Sequence, residues 1–229
     1  MQEKSAVIIV AAGASRRMGR DKLWIPLAGR ITLARTVDAF QNSPLIESIV
    51  IVTSTERLAD TQALCTQEAW NKVDAVIPGG ARRQDSVREG LDFLASRSVP
   101  CHWVMIHDGA RPFVTATIIE AGLQAAQKHQ AAIAAVPVKD TIKQVQNGMI
   151  SATHDRALLW MIQTPQVFAF DLIHLAHHSP LAEEEATDDA LLLERLGQHV
   201  AIFTGSYLNI KITTQEDLLF AEVCLKGLE

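Results

Sequence analysis

The sequence predicts an α/β fold: a mostly parallel sheet covered by helices on both faces, with a polar β-hairpin protruding from it. Three observations carry this. Short uninterrupted apolar runs such as Val7–Val10 and Ile49–Val52 read as strands buried on both faces, the pattern of a parallel sheet. These runs alternate with segments of helical periodicity, which implies βαβ crossovers that bring the strand-end loops to a common edge. The stretch from Lys139 to Thr153 breaks the pattern: polar and apolar residues alternate around Asn147-Gly148, the signature of a tight hairpin.

Taken in order, the chain offers these elements. After the first strand, Thr32 can cap a helix whose Leu33, Val37 and Phe40 share one face, and Ile49–Val52 is the second strand. A helix over Glu56–Asn71 and a strand over Val73–Ile77 follow. The next helix turns Val87, Leu91 and Leu94 inward, and His102–His107 forms the fourth strand. A helix over Thr117–His129 points Ile118, Ile119 and Leu123 at the core, and Ala132–Val138 is a further buried strand. Beyond the hairpin, a helix is expected around Leu158, Leu159 and Trp160, another through Leu191–Leu196, and strands over Val200–Phe203 and Asn209–Thr213. Thr214 and Asp217 have the spacing of a capping box for the last helix.

At 229 residues the chain suits one large domain, spanning 1–229, and 48% hydrophobic with 21% charged residues describes a soluble globular protein. A net charge of −5 supplies no global field to recruit nucleic acid or a membrane surface, so an anionic ligand must rely on local clusters. The segment MQEKSAV has no apolar signal region, and no run reaches membrane-span length, which predicts a cytoplasmic protein. Cys65, Cys101 and Cys224 are isolated and read as reduced structural thiols rather than as a zinc site.

The first strand runs into Ala11-Ala12-Gly13-Ala14-Ser15, then Arg16, Arg17, Arg20 and Lys22. Small residues let backbone N–H groups approach a ligand, and the cations beside them favour a polyanion such as a nucleoside triphosphate. The spacing matches neither a Walker A loop, which needs four residues between its glycines and then Lys-Ser/Thr, nor the Gly-x-Gly-x-x-Gly dinucleotide fingerprint. The competing reading is a solvated basic turn.

Three further stretches carry chemistry. Pro78-Gly79-Gly80 leaves the third strand and places Arg83 and Ser86 at a helix N-terminus, where a base or ribose could rest or where arginines merely cap a turn. Asp108, at a strand's carboxyl end, is followed three residues later by Arg111. The pair offers a ribose or magnesium-shell acceptor with an anion donor, or else an internal ion pair that shapes the turn. Lys211 stands inside an apolar alternation, facing either solvent or a ligand. His107 reads as packed against the sheet, and His174, His177 and His178 as a helix end and exposed linker. Glu183–Glu185 with Thr187-Asp188-Asp189 reads as an acidic approach to a helix.

Together these motifs resemble the nucleotidyltransferases that join a sugar phosphate to a nucleotide, and among them the family of 2-C-methyl-D-erythritol 4-phosphate cytidylyltransferases. The resemblance rests on AAGxxRRM with Lys22, the GG…R…SV segment at Gly79–Val87, Asp108-Gly109-Ala110-Arg111-Pro112, Thr164-Pro165-Gln166, and Asn209-Ile210-Lys211-Ile212-Thr213 with Glu216-Asp217-Leu218. It implies a Rossmann-like sheet of the nucleotide-diphospho-sugar transferase type and transfer of CMP from CTP to methylerythritol phosphate, with Mg²⁺ chelated mainly by the CTP phosphates. It also implies a homodimer formed through an arm at 139–156, with no nucleic acid or membrane partner. Ala11, Ala12, Gly13, Gly80, Arg83, Ser86 and Asp108 would hold the nucleotide, and Asp108, Arg111, Thr141, Arg156, Thr164 and Lys211 the sugar phosphate. Arg17, Lys22, Arg156 and Lys211 would carry the catalytic charge, with Thr141 and Arg156 reaching into the other subunit's site. His154-Asp155-Arg156 could instead be a polar turn. The alternatives are a ribitol-5-phosphate cytidylyltransferase, a more distant molybdenum-cofactor guanylyltransferase, and a nucleotide-binding regulatory module that performs no chemistry.

Overall fold

The computed structural model describes residues 5–13, 21–98 and 101–226, so Ser15, Arg16, Arg17 and Arg20 of the basic loop lie outside the described residues. The chain begins with β1 (Ser5–Ala11), a small hairpin of β2 (Pro26–Leu27) and β3 (Arg30–Ile31), and α1 (Thr32–Gln41). It continues through β4 (Ser48–Thr53), α2 (Leu58–Gln67), β5 (Val73–Pro78), α3 (Arg83–Ala95), β6 (Trp103–Asp108), α4 (Ala116–His129) and β7 (Ala131–Pro137). A separate two-stranded hairpin of β8 (Lys143–Gln146) and β9 (Met149–Thr153) precedes β10 (Trp160–Ala169) and α5 (Phe170–His177). The chain closes with α6 (Ala190–Arg195), β11 (Ala201–Thr204) and α7 (Gln215–Lys226).

Seven strands form the central sheet in the order β11-β7-β10-β6-β1-β4-β5. Every pairing is parallel except those of β10, which runs antiparallel to both β6 and β7. Successive side chains of a strand point to opposite faces, and β1 divides accordingly. Val7 and Ile9 join Ile49, Ile51 and the inner faces of α1 and α4, with Val37, Phe40, Ile119 and Leu123. Ile8 joins Val50, Val52, Val87 and Leu91 of α3 and Ile173 of α5 on the other side. Val7, Ile8 and Ile9 are fully buried, each worth about 1.5–3 kcal/mol of burial. The α/β class, the helices on both faces and the projecting hairpin are therefore as expected.

Several elements depart from the sequence-based expectation. Ile31, not Thr32, occupies the N-cap of α1; Thr32 is its first helical residue, and the Thr32 hydroxyl donates to the Ile25 carbonyl at 3.3 Å. The helix expected around Leu158–Trp160 is a single 3-10 turn over Arg156–Leu158 followed by β10. Asn209–Thr213 forms no strand; among its ties to the body, the Ile212 amide donates to the Ala110 carbonyl at 2.9 Å. The capping box at α7 is present, with the Thr214 amide 2.9 Å from Asp217 Oδ2 and the Asp217 amide 3.4 Å from Thr214 Oγ1. No described helix is long and apolar enough to cross a membrane.

Candidate active site

β1 and β6 lie side by side in parallel register, with Val10 opposite Asp108, so the loops leaving both strands emerge together at the carboxyl edge of the sheet. Gly109 permits this closeness: its amide donates to the Val10 carbonyl at 2.9 Å, and a Cβ there would stand 3.2 Å from that oxygen. On the far side, Gly79 brings the end of β5 against the first loop, since a Cβ would come within 2.6 Å of both Ala12 Cβ and Ser86 Oγ. α3 then starts at Arg83, its first turn closed by Asp85, which accepts from the Arg82 amide at 3.1 Å and from the Arg82 guanidinium at 2.7 Å, and points its N-terminus at the same space.

That space is a cavity of about 240 Å³ whose lining includes Ala11, Ala12, Gly13, Lys22, Gly80, Arg82, Arg83, Ser86, Asp108 and Lys211. Every nucleotide-binding candidate read from the sequence is thus on one wall or another of it. Among the described residues of its lining, Lys22, Arg82, Arg83 and Lys211 accompany one carboxylate, Asp108, with Arg82 and Arg83 also paired to Asp85 and Asp189 behind it. A second cavity, of about 260 Å³, adjoins it and is lined by Arg111, Ile162, Gln163, Thr164, Gln166, Thr187 and Asp188, together with Arg83, Asp108 and Lys211. Arg83, Asp108 and Lys211 line both cavities.

The shared wall is an ion network. Asp108 Oδ1 lies 3.2 Å from Arg83 Nε, and its Oδ2 lies 2.8 Å from Lys211 Nζ and 3.6 Å from Arg111 Nε. Burial on its own would raise the Asp108 carboxyl, but Arg83, Lys211 and Arg111 outweigh it and hold the group far below the usual carboxylate range. Arg83 is held in turn by Asp189, at 2.7 Å, a carboxylate only 1% exposed. Arg111 is fixed through Nη1, which donates to the Asn209 carbonyl at 2.8 Å, while its buried Nε has no hydrogen-bond partner.

His107 and Thr164 fix the backbone at this point. The Arg111 carbonyl can only accept, so His107 Nε2 donates to it at 3.2 Å and Nδ1 accepts from the Thr164 hydroxyl at 3.1 Å. Thr164 Oγ1 then accepts from the Asp108 amide at 3.0 Å. Burial presses the fully enclosed His107 imidazole down to about 3, so the ring stays neutral near pH 7. It packs against the sheet, as expected.

Thr141 and Arg156 line neither cavity of their own chain. Both are exposed at the root of the hairpin, where Arg156 Nη1 donates to the Lys139 carbonyl at 2.8 Å. Val145, Met149, Ile150, Leu158 and Met161 leave an apolar surface open along the arm and its base.

Residues 5–227 match the family model described as 2-C-methyl-D-erythritol 4-phosphate cytidylyltransferase. The chain belongs to that cytidylyltransferase family. It is similar to the 2-C-methyl-D-erythritol 4-phosphate cytidylyltransferases of Dehalococcoides mccartyi, 46% identical over 99% of this chain and 98% of that one, and of Syntrophotalea carbinolica, 46% identical over 96% and 95%. Among solved structures it is similar to the 4-diphosphocytidyl-2C-methyl-D-erythritol synthase of Anaerococcus prevotii, with a TM-score of 0.86, 32% identity and coverage of 98% and 97%. It also resembles the cytidylyltransferase of Thermus thermophilus, with a TM-score of 0.78, 27% identity and coverage of 99% and 100%.

In this cytidylyltransferase-family chain, sequence reasoning overlooked the layer behind the site. Asp189 anchors Arg83 and stands 3.2 Å from the buried His177. Gln166 Oε1 accepts from the Asp189 and Ala190 amides at 3.1 and 3.3 Å, and its Nε2 donates to Asp188 at 2.9 Å. The available signal was an acid pair immediately before a short helix, together with a glutamine after Pro165. His177 is buried and His174 partly so, rather than part of an exposed linker. The thiols are free as expected, those of Cys65 and Cys101 pushed by burial up to about 11.

Proposed function

We propose that the chain transfers CMP from CTP to 2-C-methyl-D-erythritol 4-phosphate, giving 4-diphosphocytidyl-2-C-methyl-D-erythritol and pyrophosphate. The observation that carries this reading is the wall of Arg83, Asp108 and Lys211 common to two adjacent cavities: two anionic reactants seated on either side of it meet across positive charge. CTP occupies the cavity beside Gly13, Gly80 and Ser86, and the sugar phosphate the one beside Arg111 and Thr164. Arg111, tied to the Asn209 carbonyl and beside Asp108, brings its guanidinium to the lining of that second cavity.

A phosphate oxygen of the acceptor attacks the α-phosphorus of CTP, the bond to the bridging oxygen breaks, and pyrophosphate leaves with the electron pair. The acceptor is already anionic near neutral pH, so no general base is required; His107, neutral and committed to two hydrogen bonds, is not one. The requirement is electrostatic. Each like-charge contact at about 4 Å costs roughly 4 kcal/mol at a surface-like dielectric, and charge grows on the leaving oxygens. Lys22, with Arg17 from the basic loop, neutralises the α- and β-phosphates, and Lys211 orients the attacking phosphate.

Asp108 is the sole carboxylate among the described residues of the nucleotide cavity, and three cations already surround it. The described lining thus offers no carboxylate cage, and Mg²⁺ would be held mainly by the CTP phosphates. Bound there, the ion neutralises triphosphate charge. The chain acts as one domain with an arm at 139–156 that pairs with a second copy, covering its apolar residues and carrying Thr141 and Arg156 into the partner's sugar-phosphate cavity. The protein is proposed to act in the cytoplasm.

Pyrophosphate release with CTP, Mg²⁺ and either methylerythritol phosphate or ribitol 5-phosphate tests the proposal. Release should depend on methylerythritol phosphate. Release with ribitol 5-phosphate alone would give the site a different acceptor, and CTP binding without release in either arm would make the chain a binding module.

A further inference from the structure

On the face of the sheet that carries α3 and α5, Asp92 of α3 meets His174 and His178 from the end of α5, where His178 also lines an open cavity with Arg82 and Arg88. The two histidines are one helical turn apart, so they project from the same side of α5, and α5 packs directly on α3. His174 Nε2 and His178 Nε2 each lie 3.1 Å from the same oxygen, Asp92 Oδ1, and the three ligand atoms fall within 4.8 Å of one another. The imidazole rings sit 4.4 Å apart, and His174 is backed by Phe170, whose ring stacks on it at 5.5 Å.

The hydrogen bond behind His178 decides what the cluster suits. Its Nδ1 lies 2.9 Å from the His174 carbonyl. A carbonyl oxygen only accepts, so the Nδ1 hydrogen is committed to it and a neutral His178 turns the lone pair of Nε2 toward a carboxylate oxygen. Either a proton on Nε2 or a bound metal ion can bridge that 3.1 Å approach, and the same geometry suits both. A metal-bound imidazole characteristically donates its second N–H to a carbonyl in this way, which fixes the tautomer and aims the other nitrogen at the ion. The 3.1 Å separations are also near the ~3.3 Å edge of a tetrahedron built on ligand bonds of about 2.0–2.1 Å.

We propose that Asp92, His174 and His178 form a binding site for a divalent transition ion of the imidazole-preferring class, Zn²⁺ in the first instance. Two nitrogens and one carboxylate oxygen supply three ligands, and the exposure of His178 leaves the remaining position to water. The ion is a clip rather than a reagent. It joins the end of α5 to the body of α3, the helix whose first turn presents Arg83 and Ser86, and it is independent of the magnesium carried by the nucleotide.

Equilibrium dialysis of tag-free, nucleotide-free protein against Zn²⁺ alone tests the site, with Co²⁺ as a spectroscopic substitute. The expected result is one ion per chain and a visible Co²⁺ band of tetrahedral intensity. His178→Gln and Asp92→Asn should each weaken Zn²⁺ binding by more than about 10-fold, a loss that even outer partners of a metal ligand can produce, and should abolish the Zn²⁺-dependent rise in melting temperature. Both positions are outside the core, so the variants keep the fold, which circular dichroism checks. Failure of the wild-type chain to bind would leave the cluster an ordinary hydrogen-bonded contact and overturn the proposal. Equal affinity in wild type and both variants would overturn it too, as would binding that survives them and disappears when Cys65, Cys101 and Cys224 are replaced by serine.

Discussion

Lys211 Nζ stands 2.8 Å from Asp108 Oδ2, joining a segment without regular structure to the carboxyl end of β6 at the point where two cavities meet. The lysine is the more exposed partner, 37% against 9%, so the pair adds little to stability. Its value lies in placing a cation where the two reactants approach. Lys211→Ala should lower turnover by ~10²-fold or more, the scale of one lost electrostatic donor, with the melting temperature nearly unchanged. Steady-state kinetics beside thermal denaturation checks both halves. Lys22→Ala should behave similarly.

Asp189→Asn separates the layer behind the site from the site itself. Asp189 is buried and holds Arg83 at 2.7 Å, so removing its charge strands a guanidinium that still contacts Asp108. Breaking a buried pair costs about 3–5 kcal/mol, less where one partner is partly exposed as Arg83 is; a loss of roughly 2 kcal/mol in urea denaturation is expected. The KM for CTP should rise more than kcat falls, because Arg83 loses its posture and no reacting atom is touched.

Acid should weaken the fold through His107. Its folded-state value of about 3 lies below the ordinary 6.5, so the unfolded chain takes up a proton that the native chain refuses. The stabilising contribution is complete above pH 6.5 and declines as pH falls toward 3. It amounts to about 5 kcal/mol at most. Urea midpoints across pH 7 to 4 should fall for the wild type, and His107→Gln, though weaker at pH 7, should show a flatter acid limb.

Gly79→Ala probes the meeting of the two nucleotide loops. The added Cβ would come within 2.6 Å of Ala12 Cβ and Ser86 Oγ, forcing the first loop and the start of α3 apart. Overpacking of this kind costs about 1–3 kcal/mol, and a displacement near 1 Å in a positioning element can cost ~10²-fold in rate. Isothermal titration with CTP should show weakened binding in a folded variant.

Much of this was legible in the sequence because it was local. Apolar strands, the Asn147-Gly148 turn and the run of small residues at Ala11–Gly13 announce themselves within a few positions. β10 did not, since Pro165 and the polar residues around it argue against a central strand; the sheet accommodates them by a register shift between Ile162 and Gln166. Asn209–Thr213 misled in the opposite direction. Its alternation resembles a strand, yet Asn209 is buried to donate to the Thr164 carbonyl at 2.9 Å, and the segment's task is to deliver Lys211. Asp189 was invisible because its partner, Arg83, is distant in the chain. The Asp92–His174–His178 cluster was hidden for the same reason, since Asp92 lies far from both histidines in the chain.

The arm of a second copy is proposed to complete each active site, and mixing two inactive chains tests this directly. Arg156→Ala and Lys211→Ala, each inactive on its own, should on coexpression restore about a quarter of wild-type activity. Half of the dimers are then mixed, and each mixed dimer holds one site with both cations intact. Coexpressed chains that form dimers yet remain inactive would contradict the claim and return Arg156 to the role of a polar turn.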